Sequence, residues 1–326
     1  MDFEYDDTQK ALADVARQIF ETHATHDRLK ELEAGGQSFD SELWSTLDRS
    51  GLLSLEGGGF VEQCVLLVEQ GRAVAPVPLW SHLVGNTFAQ KERGIVTVAI
   101  DEPGAEDAYA RTISASRGLL SGQKVGVPAW DEASWVVTSA HDGLYVVEAD
   151  QLVAERRLTT ARFPEFVLSF DMTQAEHIEG DATDLARRAV VALCAVGVGV
   201  AERSLEITAA YTSERKQFEK PLGSFQAVQQ RAADAYIDVE AMRVTMWQAA
   251  WRISEGLDAD REVAIAKVWA AEGGQRVVSS AQHLHGGMGA DIDYPLHRYT
   301  LWSKWIELAF GGATPTLARL GADLVT

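Results

Sequence analysis

Hydrophobic residues in this chain change their spacing twice, and that double change limits the available folds more than any single motif does. From residue 7 to about 71, apolar residues recur three and four apart (Leu12, Val15, Ala16, Ile19, Phe20; then Leu43, Leu47, Leu52, Leu53), which is the stripe of amphipathic helices. Gly57-Gly58-Gly59 interrupts the stripe once. A further helix over 61–71 is expected to end before Pro76-Val77-Pro78, which cannot continue it. Between about 94 and 179 the pattern becomes short β-branched runs at 95–100, 119–121, 135–138, 144–148 and 166–170. Turn formers such as Pro103-Gly104 and His141-Asp142-Gly143 separate them. From 183 onward helical spacing returns in long segments, 184–214, 225–255, 258–283, 294–310 and 314–325, as in a four- or five-helix bundle. The expected fold class is α+β: an N-terminal helical domain over 1–92, a small middle β domain over 93–180 and a C-terminal helical bundle over 181–326.

Composition narrows the function. With 46% hydrophobic and 24% charged residues, the 326-residue chain can bury a substantial core. Twenty-nine basic against forty-eight acidic residues leave a net charge of −19, which repels a polyphosphate backbone, so nucleic acid is not an expected partner. A compact anionic ligand stays open, because a few arginines and helix ends act locally while diffuse charge is screened over roughly 10 Å. The start of the sequence, Met1-Asp2-Phe3-Glu4-Tyr5-Asp6-Asp7, is acidic and has neither the basic start nor the apolar run of a signal peptide. The longest apolar stretch, 189–201, contains two glycines and falls short of the ~20 residues a bilayer requires. Cys64 and Cys194 lie in apolar runs and read as buried thiols in a reducing compartment. The expectation is a cytoplasmic protein without a membrane segment.

Three blocks carry chemistry: Arg215-Lys216-Gln217-Phe218; Pro221-Leu222-Gly223-Ser224-Phe225-Gln226; and His285-Gly286-Gly287-Met288-Gly289, continued by Asp293-Tyr294-Pro295 and Arg298. Singly each has a bland reading. Arg215 and Lys216 could merely complement a helix dipole, and Gly-Gly-x-Gly often just ends a helix. His283 and His285 could suggest a metal, but no Cys or carboxylate stands at compatible spacing, so no metal site is expected.

Together, and in this α, β, α order, the blocks resemble the flavin adenine dinucleotide (FAD) contacts of the acyl-CoA dehydrogenase family. The resemblance implies that Arg215, Gln217, Phe218, Gln226, His283, Gly286 and Gly287 bind the ADP half of an FAD that belongs to a neighbouring subunit. A guanidinium suits phosphate oxygens at any relevant pH, and glycines let backbone amides approach closely. One departure is His283, which stands where the family usually has Gln.

The same resemblance exposes losses. The family's base is a Glu that removes the proton α to the thioester while hydride leaves for the flavin. Its usual position here is Phe310, followed by Gly311-Gly312, and the alternative position on the preceding long helix is Ala189. No catalytic residue is therefore assigned. Leu120-Ser121-Gly122-Gln123-Lys124 matches the family strand that precedes a Trp-Ile-Thr-Asn-like flavin contact, but Val125-Gly126-Val127-Pro128 follows instead. Ile100-Asp101-Glu102-Pro103-Gly104 resembles a Thr-Glu-Pro loop that has lost its hydroxyl. Contacts made to a neighbour's FAD are kept, and those made to the chain's own are gone.

This pattern is similar to the short, base-lacking subunit of actinobacterial heteromeric (α2β2) acyl-CoA dehydrogenases that act on steroid-derived CoA thioesters. It implies FAD, a homologous catalytic partner subunit in a heterodimer or heterotetramer, an acyl-CoA substrate, and electron-transfer flavoprotein or a similar acceptor. Two alternatives stand beside it: a self-sufficient homomer using Glu307 or Asp291 as an atypical base, and a redox-inactive CoA-thioester binding or scaffold protein.

Overall fold

A computed structural model describes residues 3–55 and 57–323. Five helices form the N-terminal region: α1 (Asp7–His23), α2 (His26–Ala34), α3 (Ser41–Arg49), α4 (Phe60–Ala73) and α5 (Leu79–Ala89). Local chemistry sets their starts. Asp6 accepts the Gln9 amide at 2.8 Å while the Gln9 side chain accepts the Asp6 N–H at 3.2 Å, a reciprocal cap on α1. Asp40 caps α3 through the Glu42 and Leu43 amides and receives Arg28 Nε at 2.9 Å.

Eight strands follow in two sheets. One holds β1 (Val96–Ala99), β4 (Trp135–Ala140), β5 (Gly143–Glu148) and β8 (Glu176–Ile178) in the order β1-β4-β5-β8. The other holds β2 (Ser114–Ser116), β3 (Leu119–Pro128), β7 (Pro164–Gln174) and β6 (Val153–Leu158), all antiparallel, in the order β2-β3-β7-β6. Strand alternation divides the first sheet's side chains between two cores. Val96, Val98, Val137, Leu144 and Val146 join the helical core, whereas Ala99, Val136, Tyr145 and Val147 meet Leu120, Phe166, Leu168 and Phe170 between the sheets.

The C-terminal helices are α6 (Ala182–Glu214), α7 (Gln226–Ser254), α8 (Asp260–Val268), α9 (Gly274–His285), α10 (Leu296–Leu308) and α11 (Ala313–Asp323). A two-residue-per-strand hairpin, β9 (Lys216–Gln217) and β10 (Lys220–Pro221), joins α6 to α7. Helix α6 crosses α4 so closely that a Cβ on Gly199 would overlap the Val68 carbonyl oxygen, and one on Gly71 the Val196 carbonyl oxygen. Only glycine permits that crossing. No helix among the described residues is long and apolar enough to cross a membrane.

Some expectations change. Pro76-Val77-Pro78 closes one helix but also opens another, since α5 starts directly after Pro78, where a missing N–H costs nothing. Leu52 and Leu53 are buried in a turn beyond α3, after Gly51 takes a φ of +73°. The segment read as one helix over 258–283 is α8 and α9 joined by a π-helical turn, Trp269–Gly273. Strands β2, β6 and β8 show no apolar alternation in sequence, because they are short edge strands with mostly exposed side chains. The expected helix over 314–325 is α11, and Val325 lies outside the described residues.

Candidate functional site

The first two sequence blocks leave the end of α6 as a tight hairpin. Lys216 pairs with Pro221 and Gln217 with Lys220, so Phe218 and Glu219 form a two-residue tip with φ of +50° and +65°. Positive φ at both central residues is the type I′ geometry, which favours Asn and Gly and strains an aromatic residue. Phe218 nevertheless occupies it, 87% exposed. Arg215 is the C-cap of α6, and its carbonyl accepts the Leu222 N–H at 2.8 Å to close the hairpin. Its side chain is exposed and has no ion pair among the described residues. Gln226 opens α7, also exposed.

The glycine block ends α9 beside this hairpin. His285 stacks on Tyr211, one turn before Arg215, with ring centroids 4.2 Å apart, and so holds the ends of α6 and α9 together. Its Nδ1 faces the Ala281 carbonyl at 2.8 Å and must carry the proton, leaving Nε2 to accept from the Tyr294 hydroxyl at 3.1 Å. Burial pulls His285 below its ordinary value and keeps it neutral. Each glycine answers a different demand. Gly286 takes φ +61° as the α9 C-cap, and a Cβ on Gly289 would press on Gln282. Gly287 meets nothing within 4 Å, so nothing inside the chain requires its missing side chain. His283 is exposed on the last turn of α9. Beyond the glycines, Arg298 is buried and forks onto Glu33 at 2.7 and 2.8 Å, a structural clamp to α2.

The positions read for a base lie elsewhere. Ala189 is fully buried in α6. Phe310 follows α10 at φ +58°, is 8% exposed and sets its ring edge-on to Trp80 at 6.0 Å. It lines a cavity of about 280 Å³ together with Trp80, Asp101, Gly126, Glu165 and Trp305. Neither alternative base lines this cavity. The Glu307 carboxylate is held by Lys304 at 2.6 Å, and Asp291 accepts the Asp293 amide at 2.9 Å in an exposed turn. The adjoining cleft is nearly filled by Phe39, Trp80, Phe163, Trp302 and Trp305 and retains about 50 Å³. That is about a third of the ~150 Å³ that admits benzene.

Two carboxylates in the cavity were not assigned from sequence. Asp101 follows β1 in a loop fixed by the buried Lys124, whose Nζ donates to the Ile100 carbonyl at 2.9 Å and to Glu102 at 2.7 Å. Glu165, on β7, accepts the Trp305 indole N–H at 2.6 Å. The point where a Gly126 side chain would start lies 3.7 Å from Glu165 Oε2 and 3.9 Å from Asp101 Oδ2. Burial pushes Asp101 up to about 6, against the Phe310 N–H and two lysines. Burial likewise pushes Glu165 up to about 7, with Asp101's charge adding to it. The sequence held no distinguishing signal for Glu165, which shares the β7 face opposite the sheet core with Ser169 and Asp171 in an ordinary alternation.

A sequence profile of the acyl-CoA dehydrogenase C-terminal domain matches residues 185–322. The acyl-CoA dehydrogenase FadE27 of Mycobacterium tuberculosis is 35% identical, with 99% of each chain covered. Among solved structures, a variant of the Tcur3481-Tcur3483 steroid ACAD superposes with a TM-score of 0.91 at 41% identity, covering 98% of each chain. The ChsE4-ChsE5 complex from Mycobacterium tuberculosis gives 0.90 at 33% identity, covering 100% of this chain and 99% of that one.

Proposed function

The chain belongs to the acyl-CoA dehydrogenase family, and from that premise we propose that it is the subunit without a base, supplying the ADP-binding half of an FAD site to a homologous catalytic partner. The observation that carries this reading is Phe218. A strained aromatic residue at an exposed hairpin tip serves nothing in its own fold, and such strain is retained where a ligand or partner uses it. Arg215 beside it is a guanidinium without an ion-pair partner among the described residues, and Gly287 opens backbone to approach from outside. Both suit a pyrophosphate.

The chemistry that a bound FAD would supply is hydride acceptance in the α,β-desaturation of a CoA thioester, with electron-transfer flavoprotein or a similar acceptor as the onward partner. The residues of this chain bind and orient. Arg215 would hold phosphate oxygens and Phe218 the adenosine, while Gln217, Gln226, His283, Gly286 and Gly287 would complete the cradle. The Tyr211–His285 stack, with Tyr294 hydrogen-bonded to His285, keeps hairpin and glycine loop in register.

The chain's own cavity argues against a second working centre. Gly126 and Phe310 stand where ring contact and base are expected, and two carboxylates face the space between. The adjoining aromatic cleft is narrow, with about 50 Å³ left between its side chains. Membership of a two-chain, steroid-acting enzyme is supported by likeness to a complex of two differently named chains and to an enzyme described as a steroid ACAD.

Arg215→Ala in the co-expressed complex tests the reading. Loss of a charge-assisted contact worth about 1.5–3 kcal/mol should weaken flavin retention roughly ten- to a hundredfold. Unchanged flavin content would make the chain a scaffold.

A further inference from the structure

The cavity that does not suit a flavin ring has its own chemistry. Carboxylates withdrawn from water are normally paired with a cation or held by several donors. Asp101 and Glu165 have little of either: the Phe310 N–H faces Asp101, and two lysines act on it only at a distance. Among the described residues, no lysine or arginine forms an ion pair with either carboxylate, and Asp101 Oδ1 is buried without a hydrogen-bond partner. Glu165 has the Trp305 indole alone. The lysines close enough to feel Asp101 are committed elsewhere. Lys124 serves Glu102, the Ile100 carbonyl and Ser139. Lys267 donates to the Ile306 and Glu307 carbonyls at 2.6 and 3.2 Å and holds the end of α10.

The remaining walls include Trp80, Trp305, Phe310, Thr159 and Thr160, with Leu158 (75% exposed) and Leu308 (59% exposed) among the most accessible. Two unpaired acids facing one partly aromatic space form the receiving half of an ion pair. Indole rings attract cations through their π faces, by about 0.5–2 kcal/mol. Metal ions are a poorer match, since no group of three or more His, Cys, Asp or Glu among the described residues could hold one. The volume, about 280 Å³, falls just below the ~300–1,000 Å³ usual for small-molecule sites, which limits the ligand to a small one.

We infer that this cavity is a binding site for a small organic ammonium ion, seated between the Asp101 and Glu165 carboxylates with its apolar part against Trp80, Trp305, Leu158 and Leu308. The site is separate from the surface at Arg215 and Phe218, and its occupancy does not depend on a partner's flavin.

The test uses the full chain, alone and in its complex, titrated with benzylammonium and methylammonium and followed by tryptophan fluorescence and thermal melting. Benzyl alcohol is the neutral control. The inference expects saturable quenching and a raised melting temperature with an ammonium probe, and binding at least about tenfold weaker for the alcohol, the equivalent of ~1.4 kcal/mol. Asp101→Asn/Glu165→Gln, checked for folding by circular dichroism, should lose that preference, and Glu165→Gln alone should weaken it. If neither ammonium binds, if the alcohol binds as well, or if the folded double variant binds like the parent, the pair is a proton-sharing dyad and the inference is overturned.

Discussion

Replacing Glu165 by Gln should stabilise the protein at alkaline pH and leave it unchanged in acid. The side chain lines a cavity and has a single hydrogen bond, from the Trp305 indole, which the amide oxygen of Gln can still accept. Burial moves the carboxyl from its ordinary 4.5 to about 7. Between those values the unfolded chain releases the proton while the folded protein keeps it, so stability falls as pH rises through that window. The full shift corresponds to roughly 3 kcal/mol above pH 7, and partial solvent access trims it to about 2 kcal/mol. Urea denaturation of parent and variant at pH 4.5 and pH 8 measures the difference. The variant should gain about 2 kcal/mol at pH 8 and close to nothing at pH 4.5. An equal or lower midpoint at pH 8, or a difference independent of pH, would refute the argument that burial dominates this carboxylate.

Two further substitutions probe other parts of the account. Phe310→Glu restores a carboxylate at the usual base position, yet acyl-CoA dehydrogenation by the isolated chain should stay at background, because ring contacts are missing as well; dye-reduction assays with a panel of CoA thioesters would detect any turnover. Gly199→Ala drives a methyl into the Val68 carbonyl at the α4–α6 crossing. It should cost on the order of 3 kcal/mol or more, seen as a lower melting temperature or insoluble expression, whereas Gly287→Ala, whose side chain meets open space, should leave stability within about 1 kcal/mol.

The three-part layout was legible in the sequence because long helices and buried strands carry strong periodicity, as α6, α7, β4 and β5 do. Elements shaped by tertiary context were not. Helix α5 hid behind the prolines that begin it, and edge strand β6, with Glu155, Arg156 and Arg157 exposed, looked like loop. At the candidate surface, residue types identified the hairpin and glycine loop, but the strain at Phe218 and the Tyr211–His285 stack that aligns them appear only in three dimensions. The vacancy at the base position was visible as Phe310. Its neighbours were not: Asp101 and Glu165 are 64 residues apart in the chain, and only β3, which packs beside β1 and pairs with β7, brings them to one cavity.

Flavin stoichiometry is the most direct measurement of the central claim. Absorbance in the flavin bands, set against chain concentration, should give a colourless isolated chain and one FAD for each pair of unlike chains in the co-purified complex. A yellow, fully loaded homomer of this chain that oxidises acyl-CoA by itself would contradict it.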